Sequence, residues 1–266
     1  MGRIRIGISG WMYPAWRGSF YSLQRPTSYQ AWRAQTPDDF VFSVKGGRFI
    51  THMKKLARVE TPLANFFASG PLALGPKLGP VLWQLPPVLG LDPERLAGFF
   101  DLLPRTTTQA VALAKQHDHR LEGRSWTETE ADRPIRHALE VRHPSYCTEE
   151  FVHLLREHDI GLVVADTAGL WPDLEDVTSD FVYVRLHGAD ELYVSGYTAD
   201  ALDAWAAKVR RWSAGESPTG EHTVAEPMQH QPGGRDVYVY FDNDAKVHAP
   251  YDALALAERL GVAVEA

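Results

Sequence analysis

Apolar residues along this chain fall into short runs that end on polar or charged groups. In His137-Ala-Leu-Glu-Val-Arg-His143 the apolar body is Ala138, Leu139 and Val141, and Glu140, Arg142 and His143 arrive together at its end. Leu162-Val-Val-Ala-Asp166 ends on an acid, and Phe181-Val-Tyr-Val-Arg-Leu-His187 ends on Arg185 and His187. A nearly continuous apolar run is what a strand buried on both faces requires. Polar groups gathered at the ends of such strands mark where a parallel α/β sheet carries a site.

The same reading extends along the chain. Ile4–Ile8 alternates and predicts a first strand leading into a loop that holds Trp11, Tyr13, Trp16 and Arg17. A short helix is expected over Tyr29–Gln35, ended before Pro37. Phe40–Lys45 predicts a strand, Leu56–Phe67 an amphipathic helix, and Gly79–Leu85 a strand closed by Pro86-Pro87. Asp92 as N-cap and Pro93 in the first turn predict a helix that runs to Leu103. A second helical stretch covers Thr107–His119, and polar residues 118–134 read as a surface excursion. After the strand at His137–Arg142, a helix is expected within Ser145–His158, then strands over Gly161–Asp166 and Phe181–His187. Between those two strands, Thr167–Asp180 has no helical period and predicts a loop. A helix capped at Thr198 or Asp200 shows the face Leu202, Trp205, Val209 and Trp212. Residues 215–234, rich in Gly, Pro, Ser and His, are expected to be a flexible insertion. A last strand, Asp236–Phe241, and a helix over Pro250–Leu260 close the chain.

Seven strands separated by helices or long excursions imply a parallel sheet. With 266 residues, the expectation is one domain, 1–266, with a TIM-barrel-like (β/α) barrel of seven strands or a defective eighth. No glycine fingerprint for a dinucleotide follows the first strand. Lys and Arg number 27 against 34 for Asp and Glu, a formal charge of −7, which argues against coating nucleic acid by bulk charge. A single cysteine, Cys147, excludes an internal disulfide framework and a cysteine zinc site. No run approaches ~18 apolar residues and no signal-peptide pattern opens the chain, so the expectation is a cytoplasmic protein with no membrane segment.

The candidate chemistry sits at the strand ends. Glu140, Asp166 and His187 are the expected catalytic groups, because carboxylates and histidines supply acid–base chemistry or bind a divalent metal. Arg142, Arg185 and Lys45 suit an anionic ligand. Gln84, Asp242 and Asn243 also end strands, and Trp11 either stacks a ligand ring or plugs the barrel mouth. Alternation puts Glu140 and Arg142 on one face, as it does Arg185 and His187, with His143 on the other. Gly46-Gly47 between Lys45 and Arg48 either brings backbone N–H groups to an anion or forms a tight turn. No cofactor follows from these residues, and a divalent metal stays open.

Gly7-Ile-Ser-Gly-Trp-Met-Tyr-Pro-Ala-Trp-Arg-Gly18 resembles the opening motif of the YecE-like family, domain of unknown function 72. Phe40–His52 and Leu78–Pro87 are similar to its next blocks, and Glu140–His143, Tyr183–Gly188 and Val237–Asn243 to its later ones. The blocks come in family order over nearly the whole chain. The resemblance implies a TIM-barrel-like fold without an assigned reaction. In the family a helix and a second strand usually separate the Trp-Arg-Gly block from the Phe-Tyr block. Here Arg17-Gly18 runs directly into Ser19-Phe20-Tyr21, so strand two is expected to be absent or reduced to Phe20–Leu23. An incomplete barrel edge then invites self-association. Two classes of function stay open. One is a hydrolase or isomerase acting on a phosphorylated or sugar-like small molecule at the C-terminal mouth. The other is a nucleic-acid-binding or phosphodiesterase-like protein, with aromatics interleaved among Arg17, Lys45 and Arg48. A degenerate, non-catalytic member is the third reading.

Overall fold

The structure, a computed structural model, describes residues 1–9, 25–188, 195–243 and 248–262. They carry strands β1 (Ile4–Ile8), β2 (Phe42–Lys45), β3 (Leu78–Gln84), β4 (His137–Glu140), β5 (Gly161–Asp166), β6 (Phe181–Leu186) and β7 (Asp236–Phe241). The α-helices are α1 (Pro26–Gln35), α2 (Glu60–Ala68), α3 (Pro93–Asp101), α4 (Thr107–Ala114), α5 (Glu149–Glu157), α6 (Ala199–Ser213) and α7 (His248–Leu260). The expected seven strands are therefore all present. The reduced strand expected at Phe20–Leu23, and the aromatic loop around Trp11, lie outside the described residues.

Two compact units divide the chain. One contains β1, Pro87–Leu91 and everything from Leu139 onward. Its strands run in the order β1-β7-β6-β5, continued by the end of β4. The β1–β7, β7–β6 and β6–β5 pairings are all parallel, with Ile6 opposite Val239 and Val184 opposite both Val239 and Val164. Alternation sorts the two faces. Val182, Val184 and Leu186 of β6 and Val237, Val239 and Phe241 of β7 pack with Leu202, Trp205, Val209 and Trp212 of α6. That helix face is the one its spacing predicts, and Thr198 caps it by accepting from the Ala201 N–H at 3.2 Å. The opposite sheet face carries Phe181, Tyr183 and Arg185 of β6 with Tyr238 and Tyr240 of β7. Its rings pair, Tyr183 with Tyr240 at 5.2 Å and Phe181 with Tyr238 at 6.1 Å between centroids.

The connection from β5 to β6 has no helix, as its missing period implies. Thr178 replaces one locally: its hydroxyl accepts from the Leu162 N–H and donates to the Ile160 carbonyl, both at 2.7 Å. Residues 215–234 hold turns and irregular chain. They are tied in place by Arg235, whose guanidinium donates to the carbonyls of Gly215, Glu216 and Gln229 at 2.7–3.0 Å. Asp176 adds two more ties, accepting from the N–H groups of Val224 and Ala225.

The other unit holds α1 through β3 and Asp92–Ala138. β2 pairs parallel to β3, with Lys45 opposite Leu82 and an irregularity between Phe42 and Val44. Tyr29, Phe42, Ala73 and Leu74 form one core, flanked by Trp32 and Trp126. Asp92 caps α3 through the Arg95 N–H at 3.1 Å, as expected from Asp-Pro. α2 and α4 are shorter than their periodicity suggests. α2 starts at Glu60 instead of Leu56, because Lys55, Leu56 and Arg58 take left-handed backbone (φ 50°, 67° and 53°). That turn buries Leu56 and Val59, and the burial outweighs the local helical preference. α4 stops at Ala114, and a separate 3₁₀ turn follows at His119–Leu121, capped by Asp118.

Candidate functional site

The charged ends of β4, β6 and β7 meet in the first unit. Arg185 donates from Nη1 to Glu140 Oε2 at 2.6 Å and from Nη2 to Asp242 Oδ2 at 2.5 Å. Arg142 donates from Nε to the other Glu140 oxygen at 2.9 Å, and its Nη2 lies 2.8 Å from the same oxygen. His187 Nδ1 is 3.1 Å from Asp242 Oδ2, and Nε2 is 4.0 Å from Glu140 Oε1. Alternation explains the convergence. Arg185 leaves the helix-packed face of β6 to Val184 and Leu186, and His187 follows two residues later on the face of Arg185. The Asp242 side chain is 23% exposed, against 12% for Arg142, 5% for Arg185, 1% for Glu140 and 0% for His187. One network thus runs from a buried carboxylate to a carboxylate at the surface.

Charge and burial oppose each other here. Burial pushes the Glu140 carboxyl up, but the charges of Arg185 and Arg142, with His187 beside them, hold it far below the usual carboxylate range. Burial likewise lowers Arg185, and the Glu140 and Asp242 carboxylates more than reverse that. Both guanidinium groups expected to hold an anion are therefore engaged by carboxylates. Glu140, expected to act on a ligand, is enclosed and accepts from two arginines. Those same donors make its oxygens a poor seat for a cation.

Asp166 and Asn243 belong to a neighbouring arrangement. Asp166 Oδ1 accepts from the Ala168 N–H at 3.3 Å, and its carboxylate meets the Tyr197 hydroxyl. The Tyr197 oxygen also accepts from the Gly188 N–H at 3.1 Å. Burial, then the Asp166 charge, raise the Tyr197 phenol far above its ordinary value. Asn243 Nδ2 donates to Asp252 Oδ2 at 2.7 Å and to the Ser195 carbonyl at 3.0 Å, so this side chain ties β7's end to α7.

Lys45, Arg48 and Gln84 lie in the other unit. Lys45 Nζ donates to Gln84 Oε1 at 2.7 Å. The glycines beside Lys45 serve packing. The Gly46 N–H donates to the Leu82 carbonyl at 2.8 Å, and a Cβ at Gly46 would stand 2.2 Å from the Trp83 ring. Arg48 precedes a π-helical turn, Phe49–Met53. Deeper in this unit the Trp83 indole N–H donates to His137 Nδ1 at 3.2 Å, and His137 Nε2 lies 2.8 Å from the Pro104 carbonyl. That pairing places the proton on Nε2, and burial pushes the imidazole down to about 3.

Three contributors escaped the sequence. Trp171 lies under the Arg142 guanidinium, 3.7 Å from carbon to ring centroid. Ser9 Oγ is 3.4 Å from Arg185 Nη2, and Tyr197 joins Asp166. For Trp171 a signal existed: an aromatic in a helix-free loop just after a strand that ends on an acid.

Parallel strands with charged groups gathered at their C-terminal ends define an α/β protein of the TIM-barrel-like class. Solved structures share the fold. A DUF72 family protein from Thermotoga maritima is similar at TM-score 0.63 and 22% identity, covering 97% of this chain and 85% of that one. One from Enterococcus faecalis is similar at TM-score 0.66 and 16% identity, covering 98% and 97%. Residues 18–266 match the family described as "Protein of unknown function DUF72", and the chain belongs to that family. It is also 30% identical over 125 residues to UPF0759 protein YecE of Escherichia coli K12 and of O157:H7. That match covers 38% of this chain and spans 44% of each relative's length. Among the described residues, no helix is long and apolar enough to cross a membrane.

Proposed function

We propose that the Glu140–Arg185–Asp242–His187 network is the centre of a hydrolase or isomerase acting on a small, hydroxyl-rich, sugar-like molecule. The observation that carries this reading is the position of Asp242, the exposed end of an otherwise enclosed network. Asp242 is the group that exchanges a proton with the ligand. His187 Nδ1 lies 3.1 Å behind it, and Arg185 fixes the carboxylate in place by donating to Oδ2. Glu140 is a positioning residue that holds both arginines. Arg142 and Trp171 together offer a flat, partly apolar wall, which suits a sugar ring. A phosphate is favoured less, because the charges of Arg142 and Arg185 are already balanced by Glu140 and Asp242. Asp166, with Tyr197, is the second carboxylate available to the reaction.

The test is a panel of glycosides, free sugars and sugar phosphates turned over by the full chain and by Asp242→Asn. The expected result is turnover of a hydroxylated substrate that falls at least ~100-fold in the variant while the melting curve stays close to the parent's. Equal turnover by both proteins, or no panel member bound or converted by the parent, would overturn the reading. In the latter case the network would stand as a structural ion cluster.

A further inference from the structure

Away from the strand ends, α5 presents Glu149 and His153 four residues apart, hence on one helix face. Glu226, from the 215–234 segment, comes up beside them. Glu149 Oε1 lies 3.3 Å from His153 Nε2, and Glu226 Oε1 lies 3.8 Å from the same nitrogen. The ligand atoms of all three fall within 4.8 Å of one another. Around a tetrahedral zinc with bonds of ~2.0–2.2 Å, neighbouring donors stand roughly 3.3–3.5 Å apart. The two spacings to His153 Nε2, 3.3 and 3.8 Å, lie within a few tenths of an ångström of that range.

The surroundings fix the backbone that carries these donors before any ion arrives. Thr148 caps α5 through the Phe151 N–H at 3.3 Å, which sets the turn that carries Glu149. Arg156, one turn beyond His153, donates from Nη2 to the Glu226 carbonyl at 2.9 Å and from Nε to the Val177 carbonyl at 3.2 Å. It holds Glu226 by the backbone and leaves the carboxylate directed at His153. Asp176 anchors the two residues before Glu226 through their N–H groups at 3.0–3.1 Å. A neutral imidazole with two carboxylates supplies the charge and donor types a divalent transition ion accepts, with a fourth position open to water.

We propose that Glu149, His153 and Glu226 form a binding site for a divalent transition-metal ion of the zinc class, which clips the 215–234 segment to α5. The experiment is isothermal titration of the metal-free full chain with zinc chloride, alongside thermal melts with and without zinc. The parent should bind one equivalent tightly and melt higher with zinc. His153→Ala should bind at least ~100-fold more weakly, beyond what loss of a supporting contact costs, and Glu226→Gln should also weaken binding. In both variants zinc should no longer raise the melt, while the metal-free melts match the parent's because all three positions are exposed. Parent-like zinc affinity in both variants, or no zinc uptake by the parent, would overturn the proposal. The latter result would leave His153 as an ordinary ion-pair partner of two surface carboxylates.

Discussion

Arg185 and Glu140 meet at 2.6 Å where neither side chain is more than 5% exposed. Such a pair does not act as a surface salt bridge. Each ion has given up its water, and the contact is tolerable only while both remain. Removing the charge from Glu140 leaves Arg142 and Arg185 short of one carboxylate. Glu140→Gln is expected to lose about 3–5 kcal/mol of stability in urea titration. A loss under ~1 kcal/mol would show that the network is wetter than its burial implies.

The same carboxylate sets a pH dependence. Its folded-state pKa is depressed, so its stabilisation is complete above the unfolded value of about 4.3. That stabilisation fades as the pH falls through the folded value. The urea midpoint of the parent should therefore drop below about pH 4, and that part of the drop should be missing from Glu140→Gln.

His137 gives an acid limb at higher pH. Buried and neutral, it is pushed from 6.5 down to about 3, so below pH 6.5 the unfolded chain takes up a proton the folded chain refuses. Stability should fall steadily between pH 6.5 and about 3. Gln at this position can still meet Trp83 and the Pro104 carbonyl but does not titrate. Matched limbs for the parent and His137→Gln would show that the imidazole is not the cause.

Gly46→Ala tests the reading of the glycine pair. The new methyl group would fall 2.2 Å from the Trp83 ring, so the fully buried indole must move. A loss of about 1–3 kcal/mol is expected in a thermal melt. Gly47 has open space at the same point, and Gly47→Ala should cost less than ~1 kcal/mol.

The bonds of Asn243 make it a tether between the end of β7 and α7. Asn243→Ala strips a donor from the buried Asp252 and should cost about 1–3 kcal/mol. Asn243→Asp sets two carboxylates face to face and should cost more. The reverse order in urea titration would contradict the assigned orientation of the amide.

Much of the fold was legible because buried parallel strands write themselves as apolar runs. Phe181–Leu186 and Gly161–Asp166 could be placed to within a residue, and so could the packing face of α6. Legibility failed where tertiary contacts overrode local pattern, as at Leu56, whose left-handed backbone leaves no trace in composition. In the site, alternation placed Glu140, Arg142, Arg185 and His187 together. It could not tell which member is wet. That depends on neighbours such as Trp171 and on the depth of each strand end, neither of which has a period in the sequence. Gly46 shows the opposite limit: a pair of glycines looks the same whether it approaches an anion or an indole.

Arg235 has a role that its own segment does not advertise. Arg235 is 1% exposed, and the carbonyls of Gly215, Glu216 and Gln229 gather around its guanidinium much as a crown ether gathers around a cation. A stretch with too few apolar residues to build a core can therefore take a defined path by wrapping around a charge supplied from outside it. Backbone carbonyls do the chelating, so the template that orders the stretch sits at the start of β7 and not in the stretch's own side chains. Composition alone, read over 215–234, describes the wrapping and misses the cation inside it.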